Sequence, residues 1–214
     1  MRVGQNEIKL ERPLFYNNPF GLRFEIGPTE IGVWANRERR QVNENYFNAS
    51  LERAQRIFDT AFTPSDDISI VYQIFSDGRR RIKKKCYVLR QVNTGSTNKI
   101  EFSDHRDLYS DNLNYKCEFW HRATASRLTV EDANINKILL TLINTDFGSR
   151  YPSIGSGECY FINHTKGLVL NLYDDRGMDV VALKKETLLH LYKTHNEWLL
   201  NYDREHIDQM FSQI

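Results

Sequence analysis

Between Glu158 and Leu183 the chain reads ECYFINHTKGLVLNLYDDRGMDVVAL. Three β-prone runs, Glu158 to Ile162, Gly167 to Tyr173 and Met178 to Leu183, are separated by two polar stretches, 163–166 and 174–177. Short apolar runs with turn residues between them predict three antiparallel strands joined as a meander. Downstream, Leu188, Tyr192, His195 and Leu199 recur at helical spacing. A shorter helical segment with Ile207 and Phe211 follows Asp203, whose carboxylate suits an N-cap. A helix with one apolar stripe must bury it, and a sheet of local hairpins offers the surface, so the expected class is α+β.

Upstream the same logic adds elements. Apolar and polar residues alternate from Gly21 to Gly27, which predicts a short half-buried strand. From Asn45, Phe47, Leu51, Ala54, Phe58 and Phe62 fall on one stripe while Glu52, Arg53, Gln55 and Arg56 lie off it, predicting a helix that ends before Pro64. Ile68 to Phe75 is β-branched and aromatic, as a buried strand requires. Ile82, Cys86, Leu89 and Val92 have helical spacing, although Cys86, Val88 and Arg90 also alternate; a helix capped near Asp77 is the preferred reading. Residues 93–114 are rich in Asn, Asp, Ser and Gly and read as a long surface loop. Strand character returns from Tyr115 to Thr124, and Ile135, Ile138, Leu139, Leu142 and Ile143 describe a helix face stopped by Gly148 and Pro152. No linker or repeat divides the chain, so residues 1–214 are expected to form a single domain, a mostly antiparallel sheet packed against several helices.

Composition excludes several classes. With 214 residues, 40% apolar and 27% charged, the chain can bury a sizeable core, and it is too hydrophobic for a disordered segment. Lys and Arg (29) nearly cancel Asp and Glu (28), leaving a formal charge of +1, so an electrostatic partner must be recognised by a local patch. Cys86, Cys117 and Cys159 are odd in number and lack CxxC spacing, which fits free thiols in a reducing compartment. Met1 to Pro13 has no continuous apolar segment, and the densest apolar stretch, Ile138 to Ile143, is far shorter than a membrane span. A cytoplasmic protein without membrane association is expected.

Two charged features stand out. Arg79, Arg80, Arg81, Lys83, Lys84 and Lys85 flank Ile82, a cluster that can bind phosphates by counterion release or face an acidic protein, and that otherwise forms a solvated face. Asp174, Asp175 and Asp179 can hold a hard cation or supply paired acids, but their spacing departs from an EF-hand, and Asp-rich turns ending in Gly also build hairpins. The hairpin reading is preferred, with no metal, cofactor or catalytic residue assigned. His190 and His195 lie five apart, about 140° around a helix, so they do not form an HExxH-type pair. GxSxG and GxxxxGK[ST] motifs do not occur, and Gly155-Ser156-Gly157 lacks the helix signal a phosphate loop needs. Arg176, Trp198, Tyr202 and Arg204 join the basic run as candidates for partner contact, the aromatics also suiting ordinary packing at a helix end.

Phe24-Glu25-Ile26-Gly27, Arg53-Ala54 through Ile57-Phe58, Tyr151-Pro152-Ser153, Tyr173 to Asp179, and Trp198 to Arg204 with Phe211 together resemble the bacterial family called domain of unknown function 3885. The resemblance spans most of the chain and is most specific from Tyr151 onward; the basic run and residues 93–114 are not among its landmarks. It implies a Bacillus-type cytoplasmic protein of a family without an established activity, so no catalytic residue is carried over. The expected function is a non-enzymatic protein-binding module, immunity-like or regulatory. The alternatives are a metal-dependent hydrolase or nuclease using Asp174, Asp175 and Asp179, and a nucleic-acid-binding protein using residues 79–85.

Overall fold

The structure, a computed structural model, describes residues 8–76, 79–93, 95, 99–105, 120–155 and 157–212. The fold is α+β. Strands β1 (Gly21–Glu25), β4 (Asp67–Phe75), β5 (Lys99–His105), β6 (Trp120–Thr129), β7 (Gly157–Asn163), β8 (Leu168–Leu172) and β9 (Gly177–Ala182) form a seven-stranded sheet in the order β1-β9-β8-β7-β4-β6-β5. Every pairing in it is antiparallel. A small ribbon pairs β2 (Trp34–Asn36) with β3 (Gln41–Val42). The helices are α1 (Glu44–Ala61), α2 (Tyr87–Arg90), α3 (Ile135–Ile143), α4 (Lys185–Thr194) and α5 (Arg204–Phe211).

The expected meander is present as β7, β8 and β9, and its alternation sorts side chains onto two faces. Cys159, Phe161, Leu168, Leu170, Leu172, Met178 and Val180 turn to the main core, which they share with Phe47, Ala54 and Phe58 of α1, Leu139 of α3, Leu188 of α4 and Ile207 of α5. The intervening residues Tyr160, Val169 and Val181 turn to the opposite face, where they meet Val71 and a buried Leu14. Residues 8–20 form a strap: Ile8, Leu10 and Leu14 pack on this second face, whereas Phe15 and Phe20 belong to the main core.

Local chemistry explains the helix ends. Asn43 Oδ1 accepts the Asn45 N–H at 3.1 Å and starts α1. The helix stops at Ala61 because Phe62 turns extended ahead of Pro64. Phe58 stacks on Phe62 at 4.3 Å and meets Phe161 edge-on at 5.3 Å, tying the helix to the middle of the sheet. Burying one such ring stabilises the fold by about 2–3 kcal/mol.

Several expectations require correction. The helix proposed over Ile82 to Val92 shrinks to the single turn α2, and Cys86 offers it no side-chain cap. Residues 79–85, with one buried apolar side chain, Ile82, cannot repay the cost of a helix nucleus. Residues 93–114 are not one loop, because Lys99–His105 is the sheet's last strand, β5. Polar residues on both sides of an edge strand hide the alternation that would reveal it. The stripe through Leu199 ends at Thr194, and Leu199 instead bridges Phe24 on β1. Asp203 precedes α5 without capping it, since its carboxylate is engaged by Tyr16 and Arg23. Asp77, Cys117 and the first half of the strand expected over Tyr115 to Thr124 lie outside the described residues.

Candidate functional site

The three aspartates of the β8–β9 hairpin are buried, and each is committed to a different partner. Asp174 closes the turn: its carboxylate accepts the Arg176 N–H at 2.8 Å and Nε at 3.1 Å, and Arg176 Nη2 reaches both Asp174 and Asp146. Asp175 accepts a hydrogen bond from the Tyr46 hydroxyl of α1 at 2.8 Å. Asp179 lies within β9 and turns to the strap, where its Oδ2 accepts the Phe15 N–H at 3.0 Å. Burial pushes Asp175 above the ordinary carboxylate range, and it pushes Asp179 to about 6 against the pull of the Phe15 N–H, Arg23 and Arg12. Among the described residues, no three or more His, Cys, Asp or Glu side chains are placed to hold a metal ion.

A connected polar layer runs beneath and beside the strap. Arg23 Nε stands 3.5 Å from Asp179 Oδ1 and donates to the Tyr173 hydroxyl at 3.2 Å, while its Nη1 reaches Asp203 Oδ2 at 3.3 Å. Tyr16 closes the loop by donating to Asp203 Oδ1 at 2.7 Å. Further along the sheet, Arg122 donates twice to Gln73 Oε1, and Gln73 Nε2 and the Tyr160 hydroxyl both donate to Glu158 Oε2. Arg12 of the strap approaches Glu158 at 3.6 Å and sits over the Tyr173 ring. Arg23, Gln73, Arg122, Glu158 and Asp179 escape a motif search because each lies within a strand, in a slot on the face opposite the main core that is normally open to water. Gln73 and Asp179 are visible signals, each a polar residue inside an otherwise apolar run.

The basic run forms an exposed, irregular segment anchored by Ile82. Arg81 pairs with Asp104 and lies 3.0 Å from His121 Nδ1. Arg79 and Arg80 are exposed and engaged in contacts of their own. Lys83, Lys84 and Lys85 are exposed, and no carboxylate of the described residues pairs with them. The adjoining α2 places Tyr87 edge-on to Tyr151 at 6.1 Å and Arg90 over the Tyr87 ring at 5.5 Å. Tyr151 is 80% exposed. Three exposed lysines thus lead into a helix that joins Arg90 to an aromatic pair, and Tyr87, Arg90 and Tyr151 are contributors that the sequence alone did not mark for partner contact.

The C-terminal candidates separate. Trp198 is half-buried, stacked on His195 at 4.9 Å and covered by the Arg53 guanidinium. Arg204 donates to Asn196 Oδ1 at 2.7 Å. Only Tyr202, 86% exposed, is directed to solvent. Arg176 is largely exposed and spans its two aspartates.

Among the described residues no helix is long and apolar enough to cross a membrane. No solved structure matches the chain. It is 25% identical over 201 residues to the Uncharacterized protein YnaE of Bacillus subtilis (strain 168), an alignment covering 89% of this chain and 91% of that protein. The model of the family described as Domain of unknown function (DUF3885) matches residues 1–203, and the chain belongs to that family.

Proposed function

We propose that the chain, folded as one domain, is a non-enzymatic protein-binding module of the cytoplasm, immunity-like or regulatory, and that its partner presents an acidic surface. The contact surface is Lys83, Lys84 and Lys85 with Tyr87, Arg90 and Tyr151, extended by the charge of Arg79, Arg80 and Arg81. One observation carries this reading: three consecutive exposed lysines, without carboxylate partners among the described residues, precede in sequence a helix whose Tyr87 pairs with the 80% exposed Tyr151. Charge at a rim steers encounter, and a solvent-facing tyrosine supplies area at small entropic cost. The three hairpin aspartates support this reading over hydrolysis, because their carboxylates serve Arg176, Tyr46 and Phe15 separately.

The test compares the wild-type chain with a Lys83→Glu, Lys84→Glu, Lys85→Glu variant and with Tyr151→Ala, each used as bait in lysate of the source cells. The expected result is an acidic protein retained by the wild type and lost by the charge-reversed variant. Binding of a single-stranded oligonucleotide across ionic strength separates the alternative: a steep salt slope that the triple variant removes assigns the surface to nucleic acid instead. Identical capture by wild type and triple variant refutes this surface.

A further inference from the structure

The strap is held at its base by its own hydrogen bonds, since Lys9 N–H donates to Asn18 Oδ1 at 3.1 Å and Asn18 Nδ2 donates to Leu14 O at 2.9 Å. Its apolar anchor is Leu14, and its polar anchor is the Phe15 N–H on Asp179. Asp179 is 1% exposed, and its register partner on β8 is Asn171, also 1% exposed. The Asn171 amide is oriented by donating from Nδ2 to Cys159 O at 2.8 Å. Its Oδ1 then has no hydrogen-bond partner among the described residues. Flipping the amide would set Oδ1 against the Cys159 carbonyl oxygen, so the orientation is determined by the neighbour.

A buried acceptor is expensive to leave unmade. Directly opposed antiparallel residues carry Cβ atoms about 4.5–5.5 Å apart, so the Asn171 and Asp179 side chains are neighbours on the same face of the sheet. An ionised carboxylate has no proton to donate there, whereas a neutral carboxyl has one.

We propose that Asp179 is a proton switch for the strap: as the neutral acid it donates to Asn171 Oδ1 while accepting the Phe15 N–H, and loss of that proton leaves a dehydrated charge that loosens the strap. The other groups facing Asp179 are Arg23 from β1, Tyr173 from the β8–β9 connection, and Arg12 from the strap itself. Asp203, ahead of α5, faces it from the C-terminal side and shares the Arg23 guanidinium with it, and Tyr16 bonds to Asp203. His206 of α5 lies behind Phe15, ring to ring at 5.8 Å. Arg23 thus divides its charge between two carboxylates, and burial dominates at Asp179, which places the switch near pH 6. This inference is independent of the basic surface.

Carbon and nitrogen NMR on the full chain tests it. The Asp179 Cγ resonance is expected to titrate near pH 6, with the Phe15 amide and the Asn171 side-chain amide following the same midpoint. After correction for intrinsic rates, the Leu14, Phe15 and Tyr16 amides should exchange about tenfold more slowly at pH 5 than at pH 7.5, as one or more units of ionisation free energy requires. Asp179→Asn retains shape, donor and acceptor, so its strap should show the protected, acid-like exchange at both values. Asn171→Leu removes the acceptor and should lower the Asp179 midpoint. A wild-type Asp179 midpoint below about 4.5, where ordinary carboxylates titrate, overturns the proposal. So does equal strap protection at the two pH values, and the wild-type measurements alone decide the matter if a variant does not fold.

Discussion

Removing one hydroxyl, in Tyr46→Phe, tests how the aspartate hairpin is fastened to α1. The Tyr46 ring is buried, meets Phe47 edge-on at 5.3 Å, and keeps that packing in the variant. What disappears is the 2.8 Å hydrogen bond to Asp175 Oδ2, whose carboxylate is itself buried. Hydrogen bonds to charged groups contribute about 1.5–3 kcal/mol, and no water replaces the donor in a packed site, so the expected loss is about 2 kcal/mol at pH 7.5. In urea, with a slope of about 2–3 kcal/mol/M for a chain of this size, the midpoint should fall by roughly 0.7–1 M while the slope is unchanged. The hydroxyl favours the ionised form of Asp175, so the loss should shrink at pH 5, where the carboxyl is closer to neutral. A Tyr46→Phe, Asp175→Asn cycle should show coupling above about 1 kcal/mol. A loss below about 0.5 kcal/mol at pH 7.5, or additive effects in the cycle, refutes the reasoning. The same contact makes Gly27 irreplaceable, because a Cβ there would stand 2.1 Å from the Tyr46 hydroxyl oxygen and 3.1 Å from Asp175 O.

Other perturbations give equally definite outcomes. Gly27→Ala should destabilise the wild type strongly and the Tyr46→Phe background less, measured by the same urea curves. Leu14→Ala should cost about 2–5 kcal/mol, because a fully buried anchor is exchanged for a cavity between strap and sheet. Folded Asp179, near 6, lies above its unfolded value of about 3.9, so its contribution is complete below pH 4 and is lost as pH rises through 6. The loss amounts to at most about 3 kcal/mol, and Asp179→Asn should flatten that part of a stability profile measured from pH 4 to 8. Gly167→Ala forces a Cβ onto a left-handed backbone (φ +66°) and 3.2 Å from Leu183 Cδ1, for which thermal denaturation should register about 1 kcal/mol.

The meander was legible because three apolar runs are separated by residues that do little except turn, and α1 because its stripe repeats from Phe47 to Phe62 along a helix of eighteen residues. β5 was not, since Lys99, Glu101, Ser103 and Asp104 leave Ile100 and Phe102 as its only apolar marks. The burial of Asp179 is invisible in the sequence for a related reason. A buried acid and a turn acid look identical in a sequence, and only the strap, whose isolated Leu10, Leu14 and Phe15 sit among polar residues, turns one into the other. Arg23 illustrates the same point: the alternation of Leu22, Phe24 and Ile26 placed it on the outer face correctly, but that face is roofed by residues 8–20. Asn171 interrupts an apolar run as Gln73 does, but nothing in the sequence shows that its oxygen is left without a partner among the described residues. Lys83, Lys84 and Lys85 were recognised directly, whereas Tyr151 joined them only through a contact spanning 64 positions.

The pairing of Gly21–Glu25 with Gly177–Ala182 has a consequence for synthesis. During translation the first strand leaves the ribosome long before its mate exists, so it must wait while more than half the sheet is made. The hairpins of residues 157–182, in contrast, can close within moments of emerging. When the last of them appears, its free margin meets a complementary strand already present on the same chain, and Leu199 and Leu200 then seal the outer border through Phe24 and Arg23. That order of events shortens the time for which the β9 margin is open to neighbouring nascent chains.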